Sequence, residues 1–151
     1  MAHSEKNTRL VVQATGQKSV TIPKSAGSYY GYSLSFSFRR YDSGASWAVS
    51  SDGKPTIDSL FYNMRGLEFL RWSEILHASG GKSHGTNSHS IAVKFLSDDA
   101  KARAESISLN ESEMFSLRLQ GQVRLWGIVE QSNGCFYVIW YDPNHKVYPL
   151  K

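Results

Sequence analysis

The sequence predicts a single α+β domain, residues 1–151, built on a mainly antiparallel sheet, and three observations support this prediction. Residues 115–149 read as three consecutive strands separated by glycine-containing turns, which is typical of an antiparallel meander. Apolar side chains recur at helical spacing over residues 57–77, which predicts helices packed on one face of that sheet. A chain of 151 residues can bury one core of ordinary size, and no break in composition divides it.

The first third of the chain contains short strand candidates. Residues 9–14 and 19–22 are apolar enough to form a small hairpin. Over residues 32–39 apolar side chains alternate with polar ones, which predicts a half-buried first strand with Tyr32, Leu34, Phe36 and Phe38 facing the core. A turn at residues 42–44 then leads to a weak strand at residues 45–49.

The middle of the chain carries helix signals and one polar loop. Thr56 is a suitable N-cap for a helix that begins at Ile57, and Gly66 is expected to end or kink it before a second helix at residues 69–77. The stretch from Ser79 to Ser88 is almost wholly glycine, serine and polar residues, so we expect a mobile loop. Ser97 then caps a helix whose first turn is acidic.

The C-terminal meander is the most clearly patterned part of the sequence. One turn falls at Gly121, and a second contains the pair Asn133 and Gly134, which favours the positive φ angles of a tight hairpin. The strands between these turns are strongly apolar. We expect four of their large side chains in the core: Trp126, Phe136, Val138 and Trp140.

Composition and charge point to a basic protein of the cytoplasm. The net charge is +4 and the calculated pI is about 9.2, which suits a partner that carries phosphate. No apolar run approaches the ~18 residues of a membrane helix, and the first residues lack the apolar core of a signal peptide. The single cysteine, Cys135, is expected to be a buried thiol in a reducing compartment.

Two segments resemble known binding motifs but lack the residue spacing that those motifs require. The segment Gly80 to Ser83 resembles the end of a phosphate-binding loop, but Leu76 stands where the first glycine is required. Three histidines, His77, His84 and His89, lie close together without the spacing of a zinc site, and a polar loop explains them better. We therefore expect neither a metal nor a cofactor.

A set of cationic and hydroxyl-bearing side chains gathers at one rim of the predicted meander. Cations can hold a scissile phosphate and its charged transition state, and a histidine can move the proton of a 2′-hydroxyl. A cluster that only keeps the sheet edge in water has the same composition. The set consists of Arg118, Arg124 and Tyr141 as phosphate-binding candidates, His145 as general acid or base, and Lys146 and Tyr148 as assisting groups.

The same region resembles the RelE/ParE superfamily of small bacterial toxins. The resemblance lies in the Leu-Arg-Leu-Gln-Gly step at residues 117–121, the Arg-Leu-Trp step at residues 124–126, and the apolar strand followed by His145 and Lys146. For a RelE-type member it implies a messenger-RNA endonuclease acting on the ribosome, neutralised by a protein antitoxin, whereas a ParE-type member would target gyrase. The chain is longer than such toxins, and residues 9–22 have no counterpart in them.

The resemblance and the rim residues together predict a toxin-like ribonuclease of a toxin–antitoxin or mobile-element system. Its partners would be RNA or the ribosome and a protein antitoxin, with no membrane and an undefined oligomeric state. The alternative is a non-enzymatic binding protein of phage or mobile-element origin. Such a protein would inhibit a host protein, or act as a nucleic-acid-binding accessory factor that uses the same basic rim.

Overall fold

The computed structural model describes residues 28–50, 52–79 and 88–149. The predicted strands at residues 9–14 and 19–22, and most of the predicted loop at 79–88, lie outside these residues. The elements in chain order are β1 Ser35–Ser37, α1 Ile57–Glu68, α2 Trp72–Ser79, β2 His89–Ala92, a 3₁₀ turn Val93–Phe95, α3 Asp98–Ser106, β3 Glu113–Arg118, β4 Arg124–Val129 and β5 Cys135–Asp142.

The described strands form one five-stranded sheet in the order β1-β5-β4-β3-β2. Only β1 runs parallel to its neighbour β5, and the other three pairings are antiparallel. The predicted α+β class and the C-terminal meander of β3, β4 and β5 are therefore confirmed. Both turn glycines have the expected left-handed backbone, with φ of 55° at Gly121 and 76° at Gly134.

The helix caps form as predicted, whereas the expectation that Gly66 ends the helix was wrong. Thr56 accepts a hydrogen bond from the Ser59 amide at 3.1 Å, and Ser97 accepts one from the Ala100 amide at 3.2 Å. Helix α1 continues through Gly66 to Glu68. A glycine inside a helix costs only about 1 kcal/mol, and the apolar residues of α1 that pack on the sheet offset this cost.

The first strand is shorter than its alternating pattern predicted. β1 pairs through three residues only, and although Leu34 is 2% exposed, Tyr32 and Phe38 are 48% and 51% exposed. Because β1 is an edge strand, the sheet covers only its centre, so the ends of the alternating segment leave the core. The predicted strand at residues 45–49 is a loop, although it buries Ala45 and Trp47.

Each face of the sheet packs on its own core. The face we call the phenylalanine face is covered by α1 and α2, as predicted for these helices. Its buried residues include Leu34, Met64, Trp72, Phe115, Leu125, Phe136 and Val138. The opposite face, here the tryptophan face, is covered by α3 and the loop around Trp47, and it buries Ala100, Ala104, Met114, Trp126, Ile139, Trp140 and Val147.

A β-bulge in β5 divides that strand between the two faces. Trp126 pairs with Trp140 and Gly127 with Val138, so Ile139 is an extra residue without a counterpart on β4. Val138 therefore lies on the phenylalanine face, whereas Trp140 and Asp142 lie on the tryptophan face. Only glycine fits at position 127, because a Cβ there would lie 2.0 Å from the Tyr137 carbonyl oxygen.

Asp42 stabilises the bulge through hydrogen bonds. Its backbone amide donates to the Ile139 carbonyl at 2.9 Å, and its carboxylate accepts from the Trp140 indole at 2.8 Å. The same carboxylate accepts two hydrogen bonds from Arg103 of α3, at 2.8 and 2.5 Å. One side chain thus joins the bulge, the helix and the loop that begins at Gly44, whose amide it also binds.

In the described part of the chain, none of the helices has the length and apolar character needed to cross a membrane.

Cys135 begins β5 and is partly exposed, where a buried thiol was expected. The four large residues that were expected in the core of the meander are all buried there.

Replacing Phe136 by alanine should lower the free energy of unfolding by about 3–5 kcal/mol, because a fully buried ring would leave a cavity. This ring contacts Phe36, Trp72 and Phe115 at centroid distances of 6.1–6.2 Å. Urea denaturation measures the loss. Phe69 is 72% exposed, so Phe69→Ala is the matched control and should cost less than about 1 kcal/mol. Equal losses in the two variants would show that the faces of β5 are assigned wrongly.

Stability should fall in acid through Asp42. The hydrogen bonds from Arg103, with those from the Trp140 indole and the Gly44 amide, lower the pKa of Asp42 from 3.8 to about 2. Because folding lowers this pKa, the stabilisation is present above pH ~4 and is lost as the pH falls towards 2. Between pH 6 and pH 2 the wild type should lose about 2 kcal/mol more than Asp42→Asn.

The control for this experiment is Asp99→Asn, which removes an exposed carboxylate from the helix that carries Arg103. It should show the same pH dependence of unfolding as the wild type. An Asp42→Asn variant whose stability changes with pH as the wild type's does would rule out this role for Asp42.

Candidate functional site

Three charged residues lie side by side across the sheet at the end where β3 and β4 are joined. Arg118 of β3 is directly opposite Arg124 of β4, and Arg124 is directly opposite Asp142 of β5. All three belong to the tryptophan face, since Arg118 is in step with Met114, Arg124 with Trp126, and Asp142 with Trp140. We call this row, together with the turn at residues 143–147, the arginine corner.

Asp142 organises the turn that follows β5. Its side chain is fully buried and accepts hydrogen bonds from the amides of Lys146 at 2.7 Å and Val147 at 2.9 Å. The chain can fold back in this way because His145 adopts a left-handed backbone, with φ of 58°. A buried carboxylate that binds two backbone amides thus holds the turn that carries His145, at the strand end where Asp142 is paired with Arg124.

Two further hydrogen bonds anchor the same turn. The Asn144 side chain donates to the Val49 carbonyl at 3.0 Å, and the Ser97 amide donates to the Val147 carbonyl at 2.9 Å. Val147 itself is fully buried in the core of the tryptophan face. His145 is therefore carried by a turn that is held at both ends, which is how a group that acts on a substrate is kept in place.

His145 and Lys146 differ in their surroundings. The Nδ1 atom of His145 is buried and has no hydrogen-bond partner within residues 28–50, 52–79 and 88–149. A non-glycine residue with positive φ and an unpaired buried nitrogen is uncommon, and both features occur preferentially at functional sites. Lys146 is exposed and adds a positive charge at the surface of the same turn.

The two arginines have different environments. Arg124 is 5% exposed and its Nη1 donates to the carbonyls of Gly121 at 2.8 Å and Val123 at 3.2 Å. Burial and the charge of Arg118 lower the pKa of Arg124 to about 10, although Asp142 opposes this change. Arg118 is exposed, and its Nε donates to the Gly121 carbonyl at 3.2 Å. The outer arginine is therefore the one that a ligand meets first.

The two tyrosines of the predicted set lie on different faces of the sheet. Tyr141 is opposite Leu125 and packs on the phenylalanine face, so the sheet separates it from Arg118 and Arg124. Tyr148 packs against the core of the tryptophan face. The bulge at Ile139 accounts for the position of Tyr141, because it reverses which residues of β5 share the face of Arg124.

A second histidine lies on the same face and was not among the predicted site residues. His89 of β2 is opposite Ser116, and it is in step with Ile91, which belongs to the core of the tryptophan face. Just before it, Ser88 is buried and its hydroxyl accepts a hydrogen bond from the Arg118 amide at 2.9 Å. The Ser-His pair is thereby tied to the strand that carries Arg118. Its sequence signal was the position of His89 at the start of a strand that follows a polar loop.

Two clefts lie near this end of the sheet. A polar cleft of about 490 Å³ is bounded by the turn at residues 120–123, by Pro143 and Asn144, and by Lys54, Thr56 and Ser59 at the start of α1. On the phenylalanine face, the apolar groove has a volume of about 520 Å³ and is lined by Phe38, Tyr41, Val49, Ile57, Phe61 and Tyr141, among others. Both volumes are within the range of small-molecule sites.

Comparison of the chain with known proteins found no matching family model, no similar curated protein and no similar solved structure. The fold and the site therefore define an α+β protein with an arginine corner on one sheet face and an apolar groove on the other. Its function is argued from these surfaces.

Replacing Arg124 should destabilise the protein far more than replacing Arg118. Arg124→Met leaves the Val123 carbonyl without this donor and the buried Asp142 without its cationic neighbour, so the expected cost is about 2–4 kcal/mol. Arg118→Met, the matched control on the exposed side, should cost less than about 1 kcal/mol. Urea denaturation at pH 7 compares the two. An Arg124→Met protein as stable as the wild type would show that Arg124 is not needed to balance Asp142.

Proposed function

We propose that the protein is a ribonuclease that binds a phosphodiester at the arginine corner and cleaves messenger RNA without a metal ion. The observation that carries the proposal is that a buried carboxylate, Asp142, holds the turn of His145 at the strand end where it is paired with Arg124, itself opposite Arg118. Cations stabilise the charge that develops on the phosphate oxygens, and a histidine transfers a proton at neutral pH.

The electrostatics of the corner favour an anionic ligand. Two arginines face each other across neighbouring strands, and the charge of Arg118 raises the cost of charging the buried Arg124. Asp142 balances one positive charge, but its oxygens are already bound to two backbone amides and are fully buried. A phosphate above Arg118 would relieve this repulsion, and the nearby Lys54 and Lys146 extend the positive surface along the backbone of a nucleic acid.

The biological setting is part of the same proposal. Arg118 and Arg124 of the arginine corner belong to the Leu-Arg-Leu-Gln-Gly and Arg-Leu-Trp steps through which the sequence resembles RelE/ParE toxins. The resemblance favours messenger RNA on the ribosome as the substrate and a protein antitoxin as the partner. Action inside the cytoplasm follows from these partners. Tyr141 has no part in the proposed site, because it lies on the opposite face.

The apolar groove favours a second candidate, a non-enzymatic protein-binding function. Phe38, Val49, Ile57 and Phe61 are each more than half exposed along it, which is unusual for a monomer surface. Exposed cations lie within four residues of these side chains in the sequence, at Arg39, Lys54 and Arg65. The partner segment that fits this surface carries apolar side chains flanked by acidic ones.

Loss of His145 should stop cleavage but not binding. With a single-stranded RNA oligonucleotide in the presence of EDTA, His145→Ala should lower the cleavage rate by roughly 100-fold or more, as loss of a general acid or base does. A 2′-deoxy analogue, which cannot be cleaved by this route, should bind the variant and the wild type equally. Its affinity should fall as salt is raised, because phosphate contacts release counterions.

A groove variant separates the two candidates. The double variant Val49→Ser, Phe61→Ser changes only exposed positions and should leave RNA cleavage unaltered. Induced expression should arrest growth, and His145→Ala should relieve the arrest. A wild-type protein that does not cleave RNA, with a growth effect that disappears in the groove variant and persists in His145→Ala, would replace the ribonuclease by the protein-binding function.

A further inference from the structure

We infer that His89 is a second catalytic residue, which transfers a proton on the side of the phosphate opposite to His145. The inference rests on the proposed ribonuclease function and adds the reaction type and the division of labour between the two histidines. It is carried by the order of side chains across the tryptophan face, which the strand register determines.

The order of the four strands places the arginines between the histidines. From one side of the sheet to the other, the strands carry His89 on β2, Arg118 on β3, Arg124 on β4 and Asp142 on β5, with His145 in the turn that follows. Neighbouring strands are about 4.8 Å apart, so the backbones of β2 and β5 are separated by about 14 Å at this end. A phosphate bound at Arg118 therefore has the strand of His89 on one side, and on the other side the strand whose following turn carries His145.

His89 is close enough along the strands to share a ligand with Arg118. It is paired with Ser116, two residues before Arg118 on the same face, and such diagonal neighbours are within reach of long side chains. Ser88, bound to the Arg118 amide, fixes the start of β2 next to this arginine. His89 is partly buried, so the ring is neither free in solvent nor enclosed in the core.

Cleavage of RNA without a metal needs proton transfer at two opposite places. In an in-line displacement the attacking and leaving oxygens are on opposite sides of the phosphorus. One histidine, in its neutral form, takes the proton of the 2′-hydroxyl as the bond from O2′ to phosphorus forms. The other, protonated, gives a proton to O5′ as the bond from phosphorus to O5′ breaks.

The products are a 2′,3′-cyclic phosphate and a free 5′-hydroxyl, and the two histidines end with their protonation states exchanged. Solvent restores them, so no other reactant is consumed. In the described part of the chain, the strand register places Arg118 and, one strand further, Arg124 on the face of His89. In the turn of His145 the charged residues are Asp142, which binds the turn's amides, and Lys146.

The test measures kcat/KM against pH for the wild type, His89→Gln and His145→Gln on one RNA oligonucleotide. The wild type should give a bell-shaped profile, since one neutral and one protonated histidine are both required. Each variant should lose roughly 100-fold at the optimum and should lose one limb of the bell, a different limb in each. His77→Gln, an exposed histidine at the end of α2, is the control and should keep the wild-type profile.

A substrate with sulfur in place of the bridging O5′ identifies the acid, because a thiolate leaves without being protonated. It should restore the rate of one histidine variant and not of the other. Binding of the 2′-deoxy analogue, and melting temperatures, should be the same in all of these proteins, which separates catalysis from folding.

Three results would overturn the inference in different ways. A His89→Gln enzyme with the wild-type rate and both limbs of the profile would exclude a catalytic role for His89. The proposed ribonuclease function and the role of His145 would be unaffected. A wild-type protein that binds the RNA and leaves it uncut would exclude the proposed ribonuclease function, and with it the catalytic role of His89. Loss of rate in His89→Gln with both limbs kept and no rescue by sulfur would show that His89 only positions Arg118.

Discussion

The arginine corner depends on one extra residue in β5. Without the bulge at Ile139, Asp142 would lie on the face of Phe136 and Val138, because side chains alternate strictly along a regular strand. The bulge moves Trp140 and Asp142 to the face that carries Arg118 and Arg124. Two features of the sequence make the bulge possible: Gly127 allows the backbones to approach, and Asp42 binds both Ile139 and Trp140. The β-bulge thus determines which charged side chains lie on the same face of the sheet.

The corner also shows why the same residues serve structure and function. Arg124 and Asp142 are buried opposite each other, and truncating either would leave an uncompensated charge in the sheet. Burying these two charges costs free energy, but their hydrogen bonds order the backbone. Asp142 fixes the turn of residues 143–147, and Arg124 binds the carbonyls of the preceding turn. His145 lies in the turn that Asp142 holds, and Arg118 lies on the exposed side of Arg124. The buried pair is therefore the structural part of the corner.

The sequence predicted what depends on local chemistry. The caps at Thr56 and Ser97, the turns at Gly121 and Gly134 and the apolar strands all formed where their patterns placed them, as did the neighbouring positions of Arg118 and Arg124. Long-range geometry was not predictable in the same way. The exposure of Tyr32 and Phe38 follows from the edge position of β1. The position of Tyr141 follows from the bulge, and the sequence indicated that bulge only through a glycine within a strand, Gly127. His89 was set aside as part of a polar loop, because pairing of β2 with β3 cannot be read from spacing.

The two candidate surfaces lie on opposite faces of one thin sheet, and this arrangement has a physical consequence. Leu125, which lines the apolar groove, is the chain neighbour of Arg124, and Tyr141, which also lines it, is the neighbour of Asp142. A partner that fills the groove would not cover the arginine corner, so it could not block a phosphate by contact alone. It could act only by shifting β4 against β5, and the pairing of Arg124 with Asp142 resists such a shift because sliding would separate two buried charges. Binding at the groove and chemistry at the corner are therefore expected to be largely independent, which is why variants of one surface can test the other.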